Sequence, residues 1–229
     1  MTRFLFRLTH CKLIMYDRMG AVKFHLTRCK AKFVTTRKYE QKKRAERAAK
    51  TRQSILDATV ELHRTVGPAA TQISEIASRA GVQRVTVYDH FPDEQSLLAA
   101  CSSHWRELHP APDPAAWLSI ENPSRRIRRV LSDLYGWYRE TEPMTANVMR
   151  DAELRPALKQ IIQKGLGRYL DAVRQVLIEA ARTDSERRMR VDAAVQAAIN
   201  FHTWCALGIL GDSEAAELAA GLIELAGAP

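Results

Sequence analysis

Aromatic residues make up only 7% of the 229-residue sequence, and cysteines number four. Cys11, Cys29, Cys101 and Cys205 are widely scattered, so they read as reduced thiols, not as a disulfide framework. No apolar run reaches the roughly 18 residues of a spanning helix. Trp204 to Gly211 is among the longest stretches and is far shorter. No membrane partner is expected, and the expected location is cytoplasmic. The sequence has no Gly-x-Ser-x-Gly, no phosphate-loop signature and no His-Glu-x-x-His, and Gly165-Leu-Gly167 lies in a helical pattern instead of after a strand. An enzyme is therefore not expected, nor a cofactor. What is present is a globular composition, with 46% hydrophobic and 27% charged residues. It excludes wholesale disorder and a collagen-like repeat, and the length allows one large or two small domains.

The net charge of +9 is unevenly spread. Residues 1–51 carry a net +12, and the remaining residues carry −3. Eight of the ten lysines and four of the six phenylalanines also fall in that first stretch. No helical or strand period is sustained before Thr36. Residues 1–38 therefore read as a basic extension: a disordered arm adding phosphate contacts, a targeting peptide, or a segment ahead of a downstream start at Met19 or Val34. Arg3, Arg7 and Lys12 interrupt any secretory signal. The composition shift favours the downstream start.

From about Tyr39 the pattern turns helical. Ile55, Ala58, Thr59, Leu62 and Val66 share one face, and Gly67-Pro68 stops the helix. Ile73, Ile76, Ala77 and Ala80 line a short helix ended by Gly81. Gln83 to His90 forms another, broken by Phe91-Pro92. Asp93 caps a linking helix running to about Leu108. His109 to Trp117, with three prolines, reads as a linker or extended loop. Helices are then expected over about 123–140, 144–152, 156–182, 185–209 and 212–226, with Gly165 and Gly167 bending the third. Pro143 and Pro156 are read as helix starts. No strand is expected, so the fold class is all-α.

The block from Ile73 to His90 has the pattern of a helix-turn-helix. Ala77 is small where two helices cross, Gly81 makes the turn, and Val82 and Val87 bury. Gln83, Arg84, Thr86, Tyr88 and His90 are left outward, with donors suited to phosphates and base edges.

Thr51-Arg-Gln-Ser-Ile55-Leu-Asp-Ala58, Ile76-Ala-Ser-Arg-Ala-Gly81-Val82 and Thr86-Val-Tyr88-Asp-His90-Phe91-Pro92 resemble the tetracycline-repressor (TetR) family of bacterial transcriptional regulators. The resemblance covers about residues 50–105. It implies a DNA-binding domain over 39–98, with the linking helix at 93–108, and a helical ligand-binding and dimerisation domain over 109–229. It places Arg84, Val85 and Thr86 on the first turn of the recognition helix, with Gln83 just before them. It places Tyr88 and His90 on phosphates, Thr51 and Arg52 where the first helix meets the DNA backbone, and Thr71 and Gln72 at an anion-binding helix start. Glu94 stands where the family often has Lys, which removes a phosphate contact. Asp89 puts a negative charge among the DNA-facing residues, either accepting from cytosine or pairing with Arg84 or Arg52.

The resemblance further implies a small-molecule pocket in the second half, for which Trp105, Tyr135, Tyr138, Met144, Val148, Met149, Tyr169, Phe201 and Trp204 are candidates. The competing reading is that each of these fills the core. An apolar or aromatic effector is expected. The Ala-rich segments around Phe201 and Leu218 need more burial than one monomer offers, which points to a homodimer through about 185–209 and 212–226. Cys101/His104 and His202/Cys205 have metal-ligand spacing but nothing brings them together, so no metal is expected. The basic cluster Arg125, Arg126, Arg128 and Arg129 reads as a solvated face paired with acids. The function expected is a repressor that leaves a palindromic operator in double-stranded DNA when a small molecule binds. Two alternatives are a non-specific nucleic-acid-binding protein driven by the basic arm, and a ligand- or partner-binding module without operator recognition.

Overall fold

The computed structural model describes the backbone of residues 7–9, 12–17, 20–24 and 29–228, with side chains from residue 38. Met19 and Cys11 lie outside the described residues. The chain divides into two units, 1–52 and 53–229.

The first unit contains β1 (Arg7–Thr9), β2 (Lys12–Asp17) and β3 (Gly20–Phe24), an antiparallel sheet in the order β1-β2-β3. Its register pairs Leu8 with Leu13 and Met15 with Val22. No strand is expected from the sequence. These strands are six residues or fewer, too short to show a sustained alternation. The long helix α1 (Cys29–Thr65) also begins ahead of the expected Tyr39.

The second unit is entirely helical. The buried face of α1 is Ile55, Ala58, Thr59 and Leu62. Thr59 is tolerated because its hydroxyl donates to the Ile55 carbonyl at 2.7 Å. Gly67 ends the turn after α1 at φ 94°, and a Cβ there would sit 2.6 Å from Asp151 Oδ2, so both backbone and space demand glycine. Next come α2 (Ile73–Ala80), α3 (Arg84–His90) and α4 (Glu94–Leu108). Gly81, at φ 68°, closes α2 with its N–H, and the Val82 N–H returns to the Ala77 carbonyl at 2.9 Å. Asp93 and Ser96 form a reciprocal capping box on α4.

Three further boundaries differ from those expected. The 109–117 linker holds a turn of helix, α5 (Pro114–Trp117), capped by Asp113 and anchored by Trp117, whose indole donates to Asp133 at 2.9 Å. The helix α6 (Pro123–Ala152) runs unbroken through Pro143. Tyr138 before the proline and Met144 after it are buried in two different hydrophobic cores. Burial of such side chains, about 1.5–3 kcal/mol each, offsets a proline cost of about 3 kcal/mol. The expected 185–209 helix is two pieces, α9 (Arg188–Ala198) and α10 (Phe201–Leu207), bent by 68°. Asn200 caps α10, accepting from the amides of His202 and Thr203. The freed α9 carbonyls of Ala198 and Ile199 receive the hydroxyls of Tyr135 at 2.8 Å and Tyr138 at 2.6 Å.

Between them lie α7 (Pro156–Ile162) and α8 (Arg168–Ala181), joined by a π-turn over Gln163–Gly167. Gly165 and Gly167, where a bend is expected from the sequence, lie in this π-turn. A final helix, α11 (Asp212–Gly227), packs on α6 and α9. Among the described residues no single helix is long and apolar enough to cross a membrane.

Candidate nucleic-acid interface and effector cavity

The head core is Ile55, Leu62, Ile76, Val87, Phe91 and Leu97. Because Val87 faces inward, its neighbours on the short α3 must face out. Gln83, Arg84, Val85 and Tyr88 are exposed, and Thr86 and His90 are half-buried. Val85 at 58% and Tyr88 at 46% exposure are apolar surface that the head does not use for its own packing. On α1, Thr51 is half-buried and Arg52 exposed. Gln72 is exposed at the N-cap of α2. Thr71 is different. Its hydroxyl donates to the Gly67 carbonyl at 2.8 Å and its N–H to the Pro68 carbonyl, so its donors serve the loop.

Glu94 has an internal role that the sequence did not reveal. It accepts from Arg155 Nη1 at the start of α7, while Arg155 Nη2 donates to the Ala69 carbonyl at 3.1 Å. Asp151, near the end of α6, accepts from the Ala69 N–H at 2.7 Å and from Arg150 at 2.8 Å. Burial alone would raise its pKa, but these donors outweigh it and hold the carboxyl below its ordinary value. Asn147 donates to the His63 and Arg64 carbonyls. The head is thereby fastened to α6 and α7 at the loop between α1 and α2.

Behind that fastening lies a cavity of about 230 Å³ between α1, α4, α6, α7, the π-turn and α8. Of the candidate pocket residues, Trp105, Met144, Val148, Met149 and Tyr169 line it. Tyr135, Tyr138, Phe201 and Trp204 do not. They are at most 2% exposed and fill the core around the α9–α10 junction. The two tyrosines are positioned by the broken helix, and Trp204 donates to Asp212 at 3.1 Å. The lining also includes Leu98, Leu158, Ile161, Ile162 and Leu166, aliphatic residues that carry no signal of their own in the sequence, and Trp137. The glycines 165 and 167 inside an apolar helical stretch were the available hint.

The polar members of the lining are few. His63 lies with its Nδ1 3.5 Å from the Cys101 sulfur. Burial lowers the imidazole pKa to about 4 and raises the thiol to about 12, so both are neutral at pH 7. His109 Nδ1 meets Glu140 at 2.9 Å. Arg106 lies against Gly165, where a Cβ would stand 2.6 Å from Nη1. The Tyr169 hydroxyl is buried without a hydrogen-bond partner.

His104, of the Cys101/His104 pair, turns to Asp57 at 2.8 Å. Among the described residues no three metal-ligating side chains cluster. In the basic cluster, Arg128 pairs with Glu217 and Glu224, and Arg129 with Asp133. Arg126 departs from a solvated face. It is buried and donates to the Leu118 and Ile120 carbonyls.

A helix-turn-helix head with an outward polar face, joined to a helical domain holding an apolar cavity, is the architecture of a DNA-binding regulator. Residues 55–101 match the family model described as bacterial regulatory proteins, tetR family. The chain is 40% identical over 58 residues to the HTH-type transcriptional regulator AcrR of Shigella flexneri. That match spans 25% of this chain, and the chain covers 27% of the relative's length. Solved structures extend the likeness in fold to most of the chain. A TetR-like transcriptional regulator from Rhodococcus sp. superposes at TM-score 0.57 with 22% identity, over 78% of this chain and 97% of the other. A TetR transcription regulator from Haloarcula marismortui gives 0.50 and 17%, over 78% and 97%. A candidate transcriptional regulator from Saccharomonospora viridis, solved in complex with choline, gives 0.53 and 18%, over 77% and 96%.

Proposed function

We propose that the chain is a homodimeric transcriptional repressor, bound to a palindromic operator and released from it by a small molecule held in the cavity. The observation that carries this reading is the placement of the cavity. It is walled by α4 together with α6 and α7, the two helices to which the head is fastened. A ligand that enlarges the cavity moves α4 and α7 apart and strains the Glu94–Arg155 contact. The ligand must then favour the released state, and operator DNA must disfavour the ligand by the same factor.

Dimerisation is supported by α11. One face buries Ala215, Ala219, Ala220 and Ile223, while Leu218, Leu222 and Leu225 stand exposed on another, at 55%, 46% and 69%. Ile209, just before it, is 92% exposed. An apolar strip of this kind on a helix asks for a partner, and a second copy satisfies it with the symmetry that a palindrome needs.

The test is selection of binding sites from random duplex DNA by the full-length protein. Enrichment of a palindrome, with half-sites about one or more helical turns apart, is expected. Affinity that falls steeply with salt and enriches no sequence would identify a non-specific binder instead.

A further inference from the structure

We infer that the effector is an amphipathic carboxylic acid, whose apolar body fills the cavity and whose carboxylate accepts from the Arg106 guanidinium and the Tyr169 hydroxyl. This rests on the reading of the cavity as the effector site and names the chemistry of its occupant.

Most of the wall is aliphatic or aromatic, so the body of the ligand must be apolar. An apolar cavity of about 150 Å³ is enough for benzene. The 230 Å³ here therefore takes a ring with a short chain. No Asp or Glu lines the cavity. Arg106 does, and among the described residues its one recorded polar partner is the Ser102 hydroxyl at 3.5 Å. Gly165 leaves the space its guanidinium occupies at the wall. Tyr169 adds a hydroxyl that is buried and unpartnered, a group that natural proteins rarely leave without a reason. His109 is already engaged by Glu140, and His63 faces Cys101. The wall thus offers the Arg106 guanidinium and one idle donor, and no carboxylate lines it. A ligand bringing an anionic acceptor satisfies both.

The aromatic walls could suggest the opposite. Trp137 and Tyr169 meet edge-on with centroids 5.5 Å apart, and aromatic surfaces also receive organic cations. Arg106 on the same lining decides against that. An organic cation there would meet a like charge in Arg106, and no carboxylate belongs to the lining itself.

The experiment is calorimetric titration of the full-length protein with three probes of one shape: 4-phenylbutyric acid, 4-phenylbutanol and 4-phenylbutylamine. The acid is expected to bind at least tenfold more tightly than the alcohol, with the amine weakest. Arg106→Gln, an exposed position whose loss does not threaten the fold, is expected to cut acid affinity about tenfold and leave the alcohol unchanged. Tyr169→Phe is expected to weaken the acid severalfold at an unchanged melting temperature. Equal binding of acid and alcohol would overturn the inference and leave the effector reading standing. So would preference for the amine, or indifference to Arg106→Gln. Failure of all three to bind would overturn both.

Discussion

Asp151 accepts the Ala69 amide proton at 2.7 Å across 82 residues of sequence. Ala69 sits in the loop between α1 and α2, and Asp151 near the end of α6. One carboxylate therefore fixes the start of the helix-turn-helix relative to the helix that forms one wall of the cavity. The carboxylate is almost completely buried, while its partner Arg150 is largely exposed. Asp151→Ala leaves the Ala69 N–H without its acceptor. A loss of about 1–3 kcal/mol is expected, read by denaturant unfolding, with weaker operator binding even where the protein remains folded. Asp151→Asn should recover part of both, because its amide oxygen can still accept from Ala69.

Glu94 belongs to the same fastening. It stands at the first position of α4 and pairs with Arg155. Glu94→Lys is expected to release Arg155 and add a cation to the DNA-facing side. The slope of log affinity against log salt should steepen by about 0.9, the value for one more phosphate contact. An unchanged slope would mean that position 94 faces no phosphate.

His63 sets the acid limit. Its pKa is about 4 in the folded chain against an ordinary 6.5, so the unfolded chain binds a proton first as pH falls. Stability is complete above about 6.5 and declines between there and about 4, by roughly 3 kcal/mol in all. Unfolding free energies measured across that window should show the decline, and His63→Phe should flatten it. A flat wild-type profile would contradict the burial of His63.

Tyr88 tests the DNA face. At 46% exposure it contributes little to the head core. Tyr88→Ala is expected to weaken operator binding at fixed salt with the helix spectrum intact. A loss of helix would instead show Tyr88 to be core, and unchanged affinity would remove it from the interface.

The head was largely legible because its signals are local. Gly81 must turn, Ala77 must be small, Asp93 must cap, and each constraint is visible within a few residues. The cavity was only partly legible, because aromatic composition does not say which way a ring points. Tyr135 and Tyr138 are turned to the α9–α10 junction by carbonyls that exist only because Asn200 breaks the helix. That break is a tertiary event, as is the passage of α6 through Pro143. Leu158, Ile161, Ile162 and Leu166 look like any apolar helix face until α7 is packed against α4. Glu94 read as a lost phosphate contact because its partner, Arg155, is 61 residues away.

Leu222 tests assembly. It is 46% exposed on α11 with Leu218 one turn before it. Leu222→Arg should convert a dimer to a monomer by light scattering, with little change in helix content, and should weaken palindrome binding far more than half-site binding. A dimer that survives would move the interface elsewhere.

The central claim is that the cavity and the head are one switch. The most direct measurement is operator affinity of an Ile161→Trp variant on the DNA selected by the wild-type protein. Ile161 is a half-buried member of the cavity wall, and the larger ring takes the place of a ligand. Affinity at least tenfold weaker is expected, with helix content and melting temperature maintained. A variant that fills the cavity, stays folded and binds its operator as the wild type does would contradict it.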